Sequence, residues 1–325
     1  VADLLDAGPA SLPAIRGVME RASAPILSSD ERLRTTAYLG DSPARLEAWR
    51  RGDEYGEKIR TGFAELDAVL HGGPTRKESF YFLAPPKGAK TASLLKVARS
   101  ASLQGLGVYF ATYEMQAIRM ALRLDRMVSR RSKEELREDL TRLEKALEGM
   151  VASGAGELFI DERPPQEADC IQRVARRIDQ LRREGRRVDV VVLDYLNIMG
   201  SSRREREKRH ELSQISRDIS GLAKSKDVLV WSAALVNRAA VNKAVIRKND
   251  IAEAFEVISV LDGAVAICGT KEMVDQGFRR FYITAAREEA DEVRAGDYRV
   301  DFARMVIDHV EGGVDDTPDT GSEGG

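Results

Sequence analysis

Residues 79–91, SFYFLAPPKGAKT, combine an apolar run, a short loop and the start of a helix. The run at 79–84 favours a strand, the loop contains Pro and Gly, and residues 90–104 have a helical pattern. The phosphate-binding pattern G-x-x-x-x-G-K-[ST] occurs in this same strand–loop–helix context. Because Lys90 and Thr91 match its last two positions, Lys90 is predicted to reach nucleotide phosphates and Thr91 to hold Mg²⁺. The free N–H groups at the start of the helix would also face the anion.

Both glycines of this pattern are replaced, by Ala84 and Ala89. Ala89 is the more serious change, because its Cβ lies where the backbone approaches phosphate and where a positive φ is needed. Gly88 is expected to compensate in part. We predict a modified nucleotide-binding loop formed by Lys87, Gly88, Ala89, Lys90 and Thr91. The alternative is an ordinary Pro-Gly turn that opens a helix with a surface lysine.

The chain alternates apolar runs with helical stretches between residues 58 and 310. The predicted strands are 79–84, 107–112, 158–161, 188–195, 227–234, 263–269, 279–286 and 299–308, and the predicted helices are 90–104, 116–149, 167–184 and 211–225. Apolar strands separated by helices predict an α/β fold, with a mostly parallel twisted sheet, helices on both faces and an antiparallel edge hairpin. Residues 1–57 are predicted to be a helical arm or linker. Residues 311–325 are predicted to be a disordered acidic, Gly-rich tail.

Asp194 ends the apolar run 190–194. The carboxyl ends of parallel strands are where such sheets bind ligands. In phosphate-loop proteins an acid at this position orders Mg²⁺, so Asp194 is predicted to be a metal-site residue together with Thr91. The alternative is an acid that caps a turn.

Bulk properties exclude several other classes of protein. The formal net charge is −2, so any nucleic-acid contact must come from local basic patches. Two distant cysteines and three histidines argue against a zinc site. No apolar run approaches the ~18 residues of a membrane span, and no signal peptide is evident. We expect a cytoplasmic protein without a membrane partner.

Six segments, in order, resemble the DnaB-type replicative helicase family and its RecA-like C-terminal domain. They are TGFAELDAVLHGG (61–73), YFLAPPKGAKT (81–91), VYFATYEM (108–115), LFIDERPPQEADCIQRVARRI (158–178), VVVLDYLNIM (190–199) and AALVNR (233–238). The family loop, A-R-P-x-x-G-K-T, itself begins with Ala. The resemblance covers about residues 58–308 and implies a RecA-like P-loop core that uses ATP and Mg²⁺.

The resemblance also implies roles for individual residues. Lys90 and Thr91 would bind phosphate and Mg²⁺, and Asp194 would act through Mg²⁺. Glu114 would be the base that polarises the attacking water, or alternatively a plain strand-end acid. Arg287 matches an arginine finger given to a neighbouring subunit's nucleotide, a contact that accelerates transfer by about 10³–10⁵. Its alternative is a surface ion pair with the adjoining glutamates.

Two further positions depart from the family pattern. The glutamine that senses the γ-phosphate is replaced by Leu235, and the lysine two residues before the arginine finger is replaced by Ala285. The family's large N-terminal domain has no good counterpart in residues 1–57. The resemblance therefore implies the fold and leaves ATP hydrolysis open.

Two basic segments are candidate DNA contacts, because the family's loops at these positions face the central channel of a ring. Their residues are Arg203, Arg204, Arg206, Lys208 and Arg209 in the first, and Arg238, Lys243, Arg247 and Lys248 in the second. Neither segment contains an aromatic residue, so binding would involve the phosphate backbone and not base stacking. The alternative for the first segment is a solvated charged helix face.

Three functions remain open from the sequence. The first is an ATP-dependent helicase or translocase that acts as a homo-oligomeric ring, for which we expect a hexamer, on single-stranded or forked DNA in replication or recombination. The second is a RecA-like DNA-binding ring with weak or no ATPase activity, as the losses at Ala89, Leu235 and Ala285 suggest. The third is a metal-dependent, structure-specific nuclease on branched DNA, in which Glu114 and Asp194 hold the cation.

Overall fold

A computed structural model describes residues 38, 41–51, 56–167, 169–200, 208–236, 240–247, 255–287 and 292–314. The chain divides into two compact units, residues 1–54 and 55–325. In the first unit, helix α1 (Ser42–Arg51) has no buried residue, and Leu46 and Trp49 are exposed. The domain boundaries inferred from the sequence stay predictions.

In the part of the second unit that the structure describes, nine strands form one sheet. These are β1 (Ser79–Ala84), β2 (Val108–Thr112), β3 (Leu158–Glu162), β4 (Val190–Asp194), β5 (Leu229–Leu235), β6 (Gly263–Cys268), β7 (Phe278–Ala286), β8 (Val293–Asp301) and β9 (Val306–His309). Their order is β3-β2-β4-β5-β1-β6-β7-β8-β9. Strands β1 to β6 pair in parallel, whereas β7, β8 and β9 add antiparallel strands after β6. The predicted mostly parallel sheet with an antiparallel edge is confirmed.

Helices lie along the sheet between these strands. They are α2 (Ala64–Val69), α3 (Lys90–Leu103), α4 (Ala117–Ser129), α5 (Lys133–Glu138), α6 (Thr141–Ala152), α7 (Cys170–Arg183), α8 (Lys208–Lys226), α9 (Phe255–Ile258) and α10 (Lys271–Asp275). Two apolar cores, one on each face of the sheet, account for the continuous burial of the central strands. One core is aromatic, with Trp231 stacked on Phe82 at 4.7 Å between ring centroids.

Three sequence predictions need correction. The run 299–308 is not one strand: β8 ends at Asp301 and β9 begins at Val306, so the edge contains three antiparallel strands and not a two-stranded hairpin. The stretch 116–149 is three helices, because Ser132 starts α5 with a capping box. Residues 311–314 are held by the domain, since the Val314 N–H donates to Asp297 Oδ2 at 2.6 Å. Residues 315–325 of the predicted tail lie outside the described residues.

Among the helices that the structure describes, none is long and apolar enough to cross a membrane.

Candidate nucleotide-binding site

The loop between β1 and α3 has the strained backbone that its sequence suggested. Ala89 adopts a left-handed conformation with φ 69° and ψ 14°, and Lys87 has φ 60°. A residue with a Cβ is disfavoured in this region and glycine is not. The phosphate-loop geometry is therefore formed with alanine at the position that the pattern gives to glycine.

Gly88 does not compensate for Ala89 in the way that the sequence suggested, because the positive φ stays at Ala89. Glycine is needed at position 88 for a steric reason, because a Cβ there would lie 2.8 Å from both the Ala84 Cβ and the Pro85 carbonyl oxygen. The Gly88 N–H donates to that same carbonyl at 3.0 Å. Glycine at 88 thus allows the tight turn, and it leaves the strain at 89 in place.

Lys90 is only 8% exposed, which rules out the surface lysine of the alternative interpretation. Its ammonium donates to the carbonyl oxygens of Pro85 at 3.0 Å and Ala84 at 3.3 Å. Burial lowers the pKa of Lys90 to about 8, although the charges of Asp194 and Glu114 oppose this shift. The lysine is therefore a buried cation held by two neutral acceptors, and an anion in the loop would be a stronger partner.

Thr91 and Asp194 meet across the floor of this loop. The Thr91 hydroxyl donates to the Asp194 carboxylate, with oxygen–oxygen distances of 3.2 and 3.3 Å. Asp194 is fully buried. Burial and then the charge of Glu114 raise its pKa to about 7, against the opposing hydrogen bond from Thr91. Thr91 and Asp194 are the two residues predicted to hold Mg²⁺, and we call this pair the metal corner.

Strand register explains why Glu114 lies near the metal corner. Strand β2 pairs with β4 so that Thr112 lies opposite Asp194, and the Tyr113 N–H donates to the Asp194 carbonyl at 2.8 Å. Glu114 is the next residue, at the same carboxyl edge of the sheet. The fold therefore brings together the two acids that the sequence places eighty residues apart.

A cleft of about 650 Å³ opens above the loop and the metal corner. Every residue of the predicted phosphate loop lines it, as do Glu114 and Leu235. Sequence reasoning did not name the other lining residues, among them Arg123, Arg126, Tyr195, Phe302 and Met305. The two arginines could have been noticed from their i, i+3 spacing on the helix after Glu114. The contribution of the β8–β9 turn had no sequence signal.

The described donors fit a magnesium nucleotide. Mg²⁺ is usually held by one or two protein oxygens, with phosphates and water completing its octahedron. The metal corner offers one hydroxyl and one carboxylate. That carboxylate is buried and has a raised pKa, so a cation beside it would offset the cost of its charge. Lys90 and the N–H groups that begin α3 would then hold the phosphates.

Arg287 lies outside this cleft in its own chain. Its guanidinium contacts Asp262 at 3.2 Å and the Val260 carbonyl at 3.1 Å, and the side chain is 47% exposed. Arg287 thus forms an ion pair with Asp262, which is not one of the adjoining glutamates named in the alternative interpretation. Glu288 and Glu289 lie outside the described residues. A role at a neighbouring subunit's nucleotide stays a prediction.

Most of the residues predicted to contact DNA lie outside the part of the chain that the structure describes. Outside the described residues lie Arg203, Arg204, Arg206, Arg238 and Lys248, and the side chains of Lys208 and Arg209 are also undescribed although α8 begins at Lys208. Lys243 and Arg247 lie in a loop that is joined to the end of β6, because the Gly269 N–H donates to the Lys243 carbonyl at 3.0 Å. Lys243 is half-buried and Arg247 is exposed.

A phosphate loop after β1, an acid at the end of β4, which β5 separates from β1, and the order β3-β2-β4-β5-β1-β6 define a RecA-like P-loop domain. The chain belongs to the DnaB-like helicase C terminal domain family, whose model matches residues 58–252.

Individual relatives agree with this assignment. The chain is 26% identical to "Replicative DNA helicase DnaC" of Bacillus subtilis over 69% of its own length and 51% of that protein. It is 30% identical to "Replicative DNA helicase DnaB" of Geobacillus stearothermophilus over 55% of its length and 40% of that protein. The chain thus spans about half, or less, of the length of these curated relatives.

Solved structures show the same fold. The "ATPase Domain of G40P" matches with a TM-score of 0.71 and 18% identity, covering 85% of this chain and all of that one. A structure described as a DnaB-like replicative helicase and its interactions with primase matches with a TM-score of 0.70 and 19% identity, covering 95% of this chain and 75% of that one.

Proposed function

We propose that this domain is the ATP-driven motor of a DNA helicase, which binds Mg²⁺-ATP in the cleft above the loop and moves along single-stranded or forked DNA. The observation that carries the proposal is the metal corner, where the Thr91 hydroxyl lies 3.2 Å from the Asp194 carboxylate, beside the buried ammonium of Lys90. These are the three groups that a phosphate-loop site needs for phosphate and Mg²⁺. The family relationship supports the same assignment.

Each residue would act on a different part of the bound nucleotide. Lys90 would exchange its contacts to the Ala84 and Pro85 carbonyls for charge-assisted bonds to phosphate. Thr91 and Asp194 would hold Mg²⁺, which supplies the charge that stabilises phosphoryl transfer. Glu114, exposed in the cleft, would orient the attacking water.

Arg287 would complete a neighbour's site in a homo-oligomeric ring, for which we propose a hexamer. To do so it would leave its ion pair with Asp262, whose carboxylate would keep the hydrogen bonds that it accepts from the Ser79 N–H and hydroxyl. The basic residues after β4 and β5 would contact the DNA phosphates. We further propose a cytoplasmic location.

A second candidate is a DNA-binding ring that hydrolyses ATP slowly. Ala89 holds a left-handed conformation, and Leu235 presents an aliphatic side chain to the cleft where the family has its phosphate-sensing glutamine. Nothing in the described site favours a nuclease in the same way, because the Asp194 carboxylate is already bonded to Thr91 in phosphate-loop geometry.

The test is ATP hydrolysis with and without single-stranded DNA, over a range of protein concentrations. It compares the natural protein with Lys90→Ala and with Lys133→Ala, an exposed lysine that likewise begins a helix. A motor gives DNA-stimulated turnover that rises steeply with protein concentration, is lost in Lys90→Ala and is kept in Lys133→Ala. Nucleotide binding without turnover would support the second candidate. Divalent-dependent cleavage of forked DNA that is lost in Asp194→Ala would overturn both.

A further inference from the structure

Two arginines of α4 face the cleft, and within the described part of the chain no carboxylate forms an ion pair with either of them. Arg123 and Arg126 are three residues apart, so they lie on the same face of the helix, and both line the cleft. Among the described residues, neither has a salt bridge, and Arg126 has one hydrogen bond, a 3.4 Å contact to the Ala303 carbonyl. A guanidinium has five N–H donors, so most of the donors of Arg126 remain available.

Several neighbouring arginines on the same side of the domain do form ion pairs with carboxylates. The structure pairs Arg130 with Asp308, and it pairs Arg131 and Arg304 with Glu135. Carboxylates are therefore plentiful in this region. Arg123 and Arg126, which face the cleft, have no such ion pair among the described residues.

Arg126 is also a half-buried charge beside a like charge. Burial lowers its pKa, the guanidinium of Arg123 lowers it further, and Glu134 opposes the shift. Burial and the like charge both make the charged form of Arg126 less favourable while the site is empty. An anion between the two guanidinium groups would offset both effects. A polyphosphate is the anion that the rest of this cleft is suited to bind.

The two arginines occupy different positions along the cleft. Arg123 is close to the metal corner, because its charge acts on Asp194. Arg126 is almost one helical turn farther from Glu114 and reaches the β8–β9 turn at Ala303. A nucleotide with its terminal phosphate at the metal corner would thus meet Arg123 first and Arg126 nearer its nucleoside.

We propose that Arg126 is a phosphate-binding residue that the chain supplies to its own nucleotide, at the phosphates nearer the nucleoside. This inference rests on the proposed nucleotide site and adds a residue to it. Because diphosphate and triphosphate share these phosphates, Arg126 contributes equally to the binding of both. Arg126 would be a cation from the same subunit that binds the nucleotide. The chain has lost another cation of the family, because Ala285 stands where the family has a lysine two residues before the arginine finger.

The test measures the dissociation constants of Mg²⁺-ADP and Mg²⁺-ATP by calorimetry. The main variant is Arg126→Gln, which removes the guanidinium charge and keeps a polar side chain at this position. Arg126→Lys restores the charge without the planar fork. Arg119→Ala is the matched control, since Arg119 lies on the same helix, is exposed and does not line the cleft.

We expect Arg126→Gln to weaken both nucleotides by about tenfold and by the same factor, as for the loss of one charge-assisted hydrogen bond. Arg126→Lys should recover part of the affinity, and Arg119→Ala should leave it unchanged. Unchanged affinities in Arg126→Gln, or a loss confined to ATP, would overturn the proposal while the nucleotide site itself stands. If the natural protein and Lys90→Ala alike bind neither nucleotide, the nucleotide site fails and this proposal fails with it.

Discussion

The metal corner and the loop turn, residues Lys87 to Ala89, adjoin one another and differ in how well the sequence suits their geometry. At the metal corner, Thr91 and Asp194 are the residue types that the chemistry needs, and they already lie within hydrogen-bond distance. In the loop turn, Lys87 and Ala89 both have a positive φ, although neither is glycine. The chain thus retains the groups that would hold phosphate and metal, and it tolerates backbone strain beside them.

This difference leads to separate expectations for nucleotide binding and for nucleotide hydrolysis. Binding depends on the lysine, hydroxyl and carboxylate that are retained. Rapid turnover depends more on groups that respond to the transferred phosphate, and Leu235 and Ala285 stand where the family has two of them. We therefore expect nucleotide affinity to be better preserved than the rate of hydrolysis.

The largest effect is expected at the metal corner. Asp194→Asn removes the carboxylate charge, so Mg²⁺-dependent nucleotide affinity should fall by about a hundredfold, comparable to loss of a strong charge-assisted contact. The same affinity in the natural protein should fall as the pH drops below about 7, where the carboxyl of Asp194 takes up a proton. Nucleotide titrations at pH 6 and pH 8 check both points, and a Mg²⁺ dependence that survives in Asp194→Asn would contradict the assignment.

The same substitution should act on stability with the opposite sign. Because burial raises the pKa of Asp194 from 3.8 to about 7, the native state binds the proton more tightly than the unfolded state. The stability that the protonated carboxyl contributes is complete below pH ~4 and is lost as the pH rises through 7. Asp194→Asn cannot ionise, so at pH 8 without nucleotide it should be the more stable protein, by roughly 4 kcal/mol at most. Urea denaturation at pH 5 and pH 8 tests this: the advantage must grow with pH.

A smaller effect is expected from Gly88→Ala in the loop turn. The new Cβ would meet the Pro85 carbonyl oxygen and the Ala84 Cβ at 2.8 Å, so the variant should lose about 1–3 kcal/mol of stability. Gly149→Ala is the matched control, because that glycine lies in helix α6 and a Cβ there meets nothing within 4 Å. The control should be neutral or slightly stabilising. Equal denaturation midpoints for the two variants would show that the loop is not packed as described.

The smallest effect is expected from Ala89→Gly, which would make the loop turn more like the family pattern. Removing the Cβ relieves the left-handed strain at φ 69°, and the added freedom of the unfolded chain offsets part of the gain. A net stabilisation of about 0.5–1 kcal/mol should remain. Ala98→Gly, inside α3, should have the opposite sign. Thermal denaturation of both variants measures this, and a loss of stability in Ala89→Gly would remove the contrast between loop turn and metal corner.

The parts of the site that the sequence predicted are those fixed by local pattern. Lys90 and Thr91 follow a buried strand and begin a helix, and Asp194 ends an apolar strand, so each lies at the sheet edge wherever such a sheet forms. The strain at Ala89 was also predictable, because the pattern requires glycine there.

The parts that the sequence could not predict depend on contacts between distant segments. Arg126 joins the cleft only because the β8–β9 turn comes to α4, where Ala303 accepts its hydrogen bond. That turn lay inside one predicted strand. Likewise, Arg287 meets Asp262 because β6 and β7 are antiparallel partners, with Gly263 opposite Ala286.

The most direct test of the account is a calorimetric titration of Mg²⁺-ATP into the natural protein, Lys90→Ala and Lys133→Ala. The account predicts saturable binding at one site per chain that requires Mg²⁺, is lost in Lys90→Ala and is unchanged in Lys133→Ala. No binding by the natural protein, or equal binding by Lys90→Ala, would show that the cleft above the metal corner is not a nucleotide site.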